Sequence, residues 1–176
     1  MKIRIAGITP ESVVDGPGIR LVIFTQGCCH DCPGCHNPQT HDPDGGYEMD
    51  IADIKTVIEN TQLIRGVTFS GGEPFLQPEP LIRLAEYIRR LGLNVVCYSG
   101  FYFEELLKLG QTNPHVINLL KLIDILIDGP YQEAKRNTRL AFRGSANQRL
   151  INVSLSLKLG QVVLWEDPAD QKVLLG

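Results

Sequence analysis

Cys28, Cys29, Cys32 and Cys35 crowd into eight consecutive positions, and the chain has one further cysteine, Cys97. Packing does not explain such density among turn residues, because a buried structural cysteine behaves as a small hydrophobe. Clustered thiols are metal ligands, and their spacing can be parsed in two ways. Cys28, Cys32 and Cys35 form C-x3-C-x2-C, while Cys29, Cys32 and Cys35 form C-x2-C-x2-C. A structural zinc site closes with four protein ligands, usually as two pairs separated by a knuckle. No second pair follows here, since Cys97 lies alone in an apolar run. A two-cluster ferredoxin run would continue with x3-C-P, and position 39 is Gln39. Three thiolates on one loop therefore fit an iron–sulfur cluster with one iron left without a protein ligand. An open iron is where a small molecule can bind and react.

The C-x3-C-x2-C parse resembles the cluster signature of radical S-adenosylmethionine enzymes. With the preceding Asp15-Gly16-Pro17-Gly18-x-Arg20-x3-Phe24-x2-Gly27 and the following His36-Asn37, it resembles the glycyl-radical-activating branch of that superfamily. Within that branch, the Pro33-Gly34-Cys35 form and the tail Arg143-Gly144-Ser145-Ala146-Asn147-Gln148 resemble the activators of anaerobic ribonucleotide reductases. The resemblance implies a [4Fe-4S] cluster on Cys28, Cys32 and Cys35, with Cys29 a non-ligand. It implies S-adenosyl-L-methionine as second cofactor, with Gly34 and His36 flanking the third ligand and Gly71, Gly72 and Glu73 at the methionine amino group. Glycines there let backbone carbonyls approach an ammonium, and Glu73 either adds acceptor capacity or fixes the turn. The implied activity is reductive cleavage of S-adenosylmethionine, followed by abstraction of a hydrogen from a backbone glycine. The implied partners are a glycyl-radical enzyme, the large subunit of an anaerobic ribonucleotide reductase, and a flavodoxin- or ferredoxin-like electron donor. Alternatives are a pyruvate formate-lyase activator or deazaguanine synthase type of the same superfamily and, more distantly, a non-catalytic metal-binding module.

The elements that must position these residues follow from hydrophobic patterning. Residues 1–8 alternate apolar and charged side chains and then meet Thr9-Pro10, as a first strand does. Residues 19–26 form a buried strand that delivers the cysteine loop, and 37–48 read as loop. Ile51, Ile54, Val57 and Ile58 at helical spacing behind Asp50 predict a capped helix. Strands are predicted at 66–70, 94–98 and 123–127, separated by a helix over 78–91 and a short helix over 103–109 stopped by Gly110. A further helix opens at Thr112-Asn113-Pro114. Alternation of this kind specifies βαβ units and a parallel sheet. The cysteine loop, Gly71-Gly72-Glu73-Pro74, Tyr98-Ser99-Gly100 and Asp128-Gly129-Pro130-Tyr131 each follow a strand, so all four share the C-terminal rim where α/β proteins bind ligands. Rim position alone makes Ser99, Gly100 and Asp128 candidates. Asp15 and Arg20 read as a salt bridge buttressing the start of the second strand.

A full eight-unit barrel takes about 250 residues, so the expected fold is α/β, an incomplete, laterally open barrel of about five or six mostly parallel strands. At 176 residues, 43% hydrophobic and 21% charged, the chain reads as one radical S-adenosylmethionine domain spanning 1–176, with a C-terminal extension from about residue 150. Residues 154–164 read as a hairpin turning at Leu159-Gly160-Gln161, and 143–148, for which the residues themselves give no role beyond the family tail motif, read otherwise as a C-terminal loop packing over the barrel bottom. Net charge is −3 with no basic run, which excludes direct nucleic-acid binding as the expected role. No apolar run approaches the ~18 residues of a membrane span, and the thiols suit a reducing compartment, so a cytoplasmic protein is expected.

Overall fold

The computed structural model describes residues 1–167. The last residues of the expected domain, 168–176, lie outside the described residues. Seven strands form one sheet in the order β3-β1-β2-β4-β5-β6-β7. β2 (Arg20–Thr25), β4 (Gly66–Gly71), β5 (Asn94–Tyr98) and β6 (Ile125–Asp128) are its parallel centre. β1 (Lys2–Ser12) pairs antiparallel with both β2 and β3 (Tyr47–Asp50), and β7 (Arg149–Asn152) pairs antiparallel with β6. Among the described residues β3 and β7 are the two edges, so the sheet is unclosed, as an incomplete barrel requires.

Side-chain alternation divides the sheet into two faces. Leu21, Ile23, Val67, Phe69, Val95, Cys97 and Leu126 share a core with the helices, so Cys97 is a core residue as expected. α1 (Ile51–Asn60) buries Ile51, Ile54 and Ile58 and is capped by the Asp50 carboxylate, which accepts from the Ala52 N–H. α2 (Pro78–Arg90) opens on a proline and buries Leu81, Leu84, Ala85 and Ile88. α3 (Phe103–Thr112) and α4 (Pro114–Leu120) complete the layer. Among the described residues no helix is long and apolar enough to cross a membrane.

The opposite face carries Val96, Ile125, Ile127 and Leu150, and beside them Arg20, whose side chain is fully buried. Arg20 Nε donates to Thr68 Oγ1 at 2.6 Å, Nη2 to the Val67 and Asn94 carbonyls at 2.9 and 3.3 Å, and Nη1 to the Pro17 carbonyl at 3.1 Å. Thr68 Oγ1 in turn donates to the Asp15 carbonyl at 2.7 Å. The expected Asp15–Arg20 salt bridge is therefore replaced by a hydrogen-bonded relay, and the Asp15 carboxylate accepts instead from Ser12 Oγ at 2.5 Å. Burial pulls the Arg20 guanidinium down to about 10.

Four local expectations are corrected. β1 runs on past Pro10 to Ser12, through two register irregularities against β2. Residues 47–48, read as loop, belong to β3, a four-residue edge strand that only its pairing with β1 defines. α3 does not stop at Gly110 but continues to Thr112, because Gly110 is where α4 comes close: a Cβ there would lie 2.9 Å from Ile117 Cβ. The predicted hairpin at 154–164 is instead α5 (Val153–Leu159), with Asn152 accepting from the Leu155 N–H and Gly160 closing it at φ 68°. A glycine in the left-handed region is a helix stop as readily as a hairpin turn.

Replacing Arg20 with Met should strand the Pro17 and Asn94 carbonyls and lower unfolding free energy by about 3 kcal/mol. Urea unfolding followed by far-UV circular dichroism measures it. A change within error would mean the relay does not hold the 14–18 turn to the sheet.

Candidate functional site

The cysteine loop is closed at its base by backbone pairing. Gly27 N donates to the Thr40 carbonyl at 2.8 Å and Cys28 N to the His41 carbonyl at 3.1 Å. Gln26, almost fully buried, adds two bonds from Nε2, to the Gln39 and Asp42 carbonyls. Inside the loop Cys35 N donates to the Cys32 carbonyl, forming a tight turn, and Asn37 N donates to Cys35 Sγ at 3.4 Å. Gly34 takes φ 72°, which a glycine adopts without steric cost.

The Gly71-Gly72-Glu73 turn is pinned to the same base. Gly72 N donates to the Thr25 carbonyl and Glu73 N to the Gly27 carbonyl, both at 2.8 Å. A Cβ on Gly72 would sit 2.1 Å from the Gly27 oxygen, so no other residue fits without displacing backbone.

Glu73 has no exposed surface, and its carboxylate accepts from four groups. Oε1 takes the Phe75 N–H at 3.0 Å, Oε2 takes the Gly100 N–H at 2.9 Å, and Ser99 Oγ lies 3.0 Å from both. His30 Nε2 approaches Oε2 at 2.7 Å, and since an ionised carboxylate only accepts, that nitrogen carries the hydrogen. The His30 ring rests edge-on against Phe101 at 4.5 Å, over Gly100, where a Cβ would lie 2.3 Å from the ring. Of the two roles open to Glu73, this geometry gives it the fixing of the turn.

A cavity of about 640 Å³ opens at the C-terminal rim of the parallel strands. Cys28, Cys32, Cys35, His36, Gly71, Gly72, Ser99 and Gly100 all line it. Gly34 and Glu73 do not: Gly34 faces the Glu133 carboxylate, and Glu73 lies behind the wall it fixes. Asp128 is also withdrawn, capping the Phe103 N–H and pairing with Arg149, which bonds Glu104 as well. Exposed Cys29 is not among the lining residues. Lining residues that patterning missed include Val13, Val14, Arg143, Gly144 and Gln148, the last three from the tail for which packing over the barrel bottom is the plain expectation. They lie at the rim. The family resemblance was the one signal that could have found them.

Burial pushes the Cys28 and Cys32 thiols up, with the Glu73 carboxylate adding to the effect at Cys28. Thiols so placed give up their protons to a metal that binds the thiolate. Among the described residues no three metal-ligating side chains close on one point where a single ion would sit. The Cys28, Cys32 and Cys35 thiols line one cavity, and thiolates are the donors an iron–sulfur cluster takes. Facing glycine backbone leaves room for an open iron's ligand.

Residues 14–151 match the family described as 4Fe-4S single cluster domain. The anaerobic ribonucleoside-triphosphate reductase-activating protein of Escherichia coli (strain K12) is 30% identical over 148 residues, covering 79% of this chain and 92% of that protein. The pyruvate formate-lyase-activating enzyme of Clostridium pasteurianum is 40% identical over 114 residues, 60% of this chain and 48% of that one. Among solved structures, QueE from Escherichia coli overlays with a TM-score of 0.44 at 19% identity, over 57% of this chain and 53% of that one.

Glu73→Gln should turn one acceptor into a donor facing the donors of His30, Ser99 and Gly100, at a cost of about 2 kcal/mol in chemical unfolding. Unchanged stability would mean that the carboxylate does not tie these segments together.

Proposed function

The chain belongs to the 4Fe-4S single cluster domain family and to the activating proteins of anaerobic ribonucleoside-triphosphate reductase, and from that premise we propose how its residues divide the work. The protein is a radical S-adenosylmethionine activase that uses a [4Fe-4S] cluster to make a glycyl radical on an anaerobic ribonucleotide reductase. Cys28, Cys32 and Cys35 hold the cluster, and Cys29 is left free. Held by these three thiolates, the cluster would supply the single electron that reductive cleavage of S-adenosylmethionine requires, and the chemistry so started would end in loss of a hydrogen atom from the reductase glycine.

The observation that carries this division is the gathering of three thiols and the Gly71-Gly72 backbone around one rim cavity. The Gly71-Gly72 carbonyls are the acceptors for the cofactor's ammonium, since the Glu73 oxygens are occupied by their four donors. His36, next to the third ligand, forms the wall with Tyr131, the rings 4.7 Å apart. Ser99 acts at one remove, holding Glu73, and Gly34 shapes the loop. No proton need be moved by a side chain, so the protein's task is to bind, orient and shield. The donor is a flavodoxin- or ferredoxin-like protein, and a reduced cluster with free thiols suits the cytoplasm. The Clostridium match favours a second reading, that the partner is instead a pyruvate formate-lyase.

Anaerobically reconstituted protein given reductant and S-adenosylmethionine should release 5′-deoxyadenosine. Cys32→Ala should lose the cluster's visible absorbance and at least ~100-fold of that release, and Cys29→Ala should keep both. With the reductase large subunit added, electron paramagnetic resonance should report a glycyl radical. A cluster that forms without cleavage, or that depends on Cys29, would overturn the assignment, and a radical formed on pyruvate formate-lyase but not on the reductase would favour the second reading.

A further inference from the structure

Residues 134–149 hold five of the chain's 17 lysines and arginines and none of its 20 aspartates and glutamates. The five are spaced apart, so they form no basic run, in a chain whose net charge is −3. The fold sorts them into two groups. Arg149 pairs with Asp128 and Glu104, and Arg143 belongs to the cavity wall, where it donates to the Gln148 carbonyl at 3.2 Å. Lys135, Arg136 and Arg139 are exposed. Among the described residues, ion pairs from lysine and arginine are made by Lys2, Arg83, Arg89 and Arg149, and none of these three cations takes part in one.

The segment that carries them is fixed beside the cysteine loop. A single helical turn over Glu133–Lys135 is bound to the tail: Ala146 N donates to the Lys135 carbonyl at 2.9 Å, Asn137 N to the Gly144 carbonyl at 3.2 Å, and Gln132 N to Ser145 Oγ at 3.1 Å. Asn137 Oδ1 accepts from the Arg139 N–H at 3.0 Å, which places the last cation in the same turn. The cysteine loop reaches the surface at Pro33-Gly34, both exposed, between the second and third ligands. Gly34 packs on the Glu133 side chain, where an added Cβ would lie 3.0 Å from the carboxylate carbon. Glu133 is thereby turned onto the loop, and Asp31 lies toward His41 at 3.5 Å. A surface shaped only for solubility mixes its signs, whereas a patch of one sign steers an oppositely charged partner.

We propose that Lys135, Arg136 and Arg139, with the exposed Pro33-Gly34 backbone, form the docking face for the electron donor, and that this donor is a small acidic flavoprotein of the flavodoxin type. This rests on the reading above that the three thiols hold a cluster in need of one electron. In the transfer so served, the partner's anionic reduced flavin gives up one electron and becomes a neutral radical, and the cluster gains that electron. No bond breaks and no proton moves. Two of the three cations are arginines, whose flat guanidinium stacks on an aromatic ring as a lysine ammonium does not. With glycine at 34, no side chain stands between an approaching ring edge and the loop that carries the thiols. Redox encounters bury little area, so charge at long range, more than contact, brings the pair together.

The test uses the cluster-loaded full chain and a purified flavodoxin. Binding is measured by titration calorimetry at low and moderate salt, and cluster reduction by stopped-flow absorbance. Lys135→Glu, Arg136→Glu and Arg139→Glu combined should weaken binding and slow flavodoxin-driven reduction at least about tenfold at low salt, and flatten the salt dependence of both. Arg90→Glu, Lys108→Glu and Lys121→Glu combined, the same charge change on exposed helix residues, should stay within about twofold. Dithionite should reduce the cluster to the same extent in every variant. Unchanged flavodoxin binding, or equal loss in both combined variants, would overturn the proposal, as would incomplete reduction by dithionite in the first alone, which would make the segment a support of the cysteine loop. Reduction by a ferredoxin with flavodoxin inert, or weakened capture of the reductase with flavodoxin binding intact, would overturn the choice of partner. Each of these outcomes leaves the reading above standing, whereas a wild-type chain that takes up no cluster would overturn both.

Discussion

A carboxylate without exposed surface is stable only when donors replace the water it has lost. Glu73 meets that condition with donors from three segments: His30 in the cysteine loop, Phe75 in its own turn, and Ser99 with Gly100 after β5. Each of the three segments follows a different strand end, so the carboxylate fixes the spacing of those ends. The cavity wall is the surface of this knot. Gly71 and Gly72 can present bare backbone to a ligand because the next residue anchors them from behind.

The opposite face of the sheet uses the same principle with the signs reversed. Arg20 is a buried cation met by three carbonyls and a hydroxyl, and it holds the 14–18 turn below the cavity. Glu73 sits just past the C-terminal end of β4, and Arg20 opens β2 at the opposite end of the parallel strands. Apolar packing in the helix-covered core supplies stability, and these two polar centres supply position. Burial costs each of them solvation, which the Arg20 guanidinium shows in its lowered pKa.

What could be read from the sequence was whatever a local pattern encodes. Asp50 ahead of Ile51, Ile54 and Ile58 encodes α1, and the rim follows once each motif is seen to trail a strand. α5 was misread for a physical reason: Val153, Leu155, Leu157 and Leu159 alternate as in a strand. The helix instead buries Ser156, whose hydroxyl bonds the Asn152 carbonyl, and leaves Leu155 and Leu159 exposed. Gly110 resembled a stop but serves a helix crossing. The role of Glu73 turned on burial, which no spacing reveals. The tail that begins at Arg143 stood out as a motif but not as a position, since its place depends on hydrogen bonds from Tyr98 to Phe142 and from Gln148 to Gly129.

The close approach of Gly72 to the Gly27 carbonyl bears on how such a chain can be inherited. The oxygen that a Cβ at 72 would meet belongs to the main chain at Gly27 and is there whatever residue stands at 27, so no exchange at 27 could make room. The dependence therefore runs one way: the path of the cysteine loop's backbone fixes position 72 as glycine, and a descendant that keeps that path can vary its side chains freely around it but not this one position.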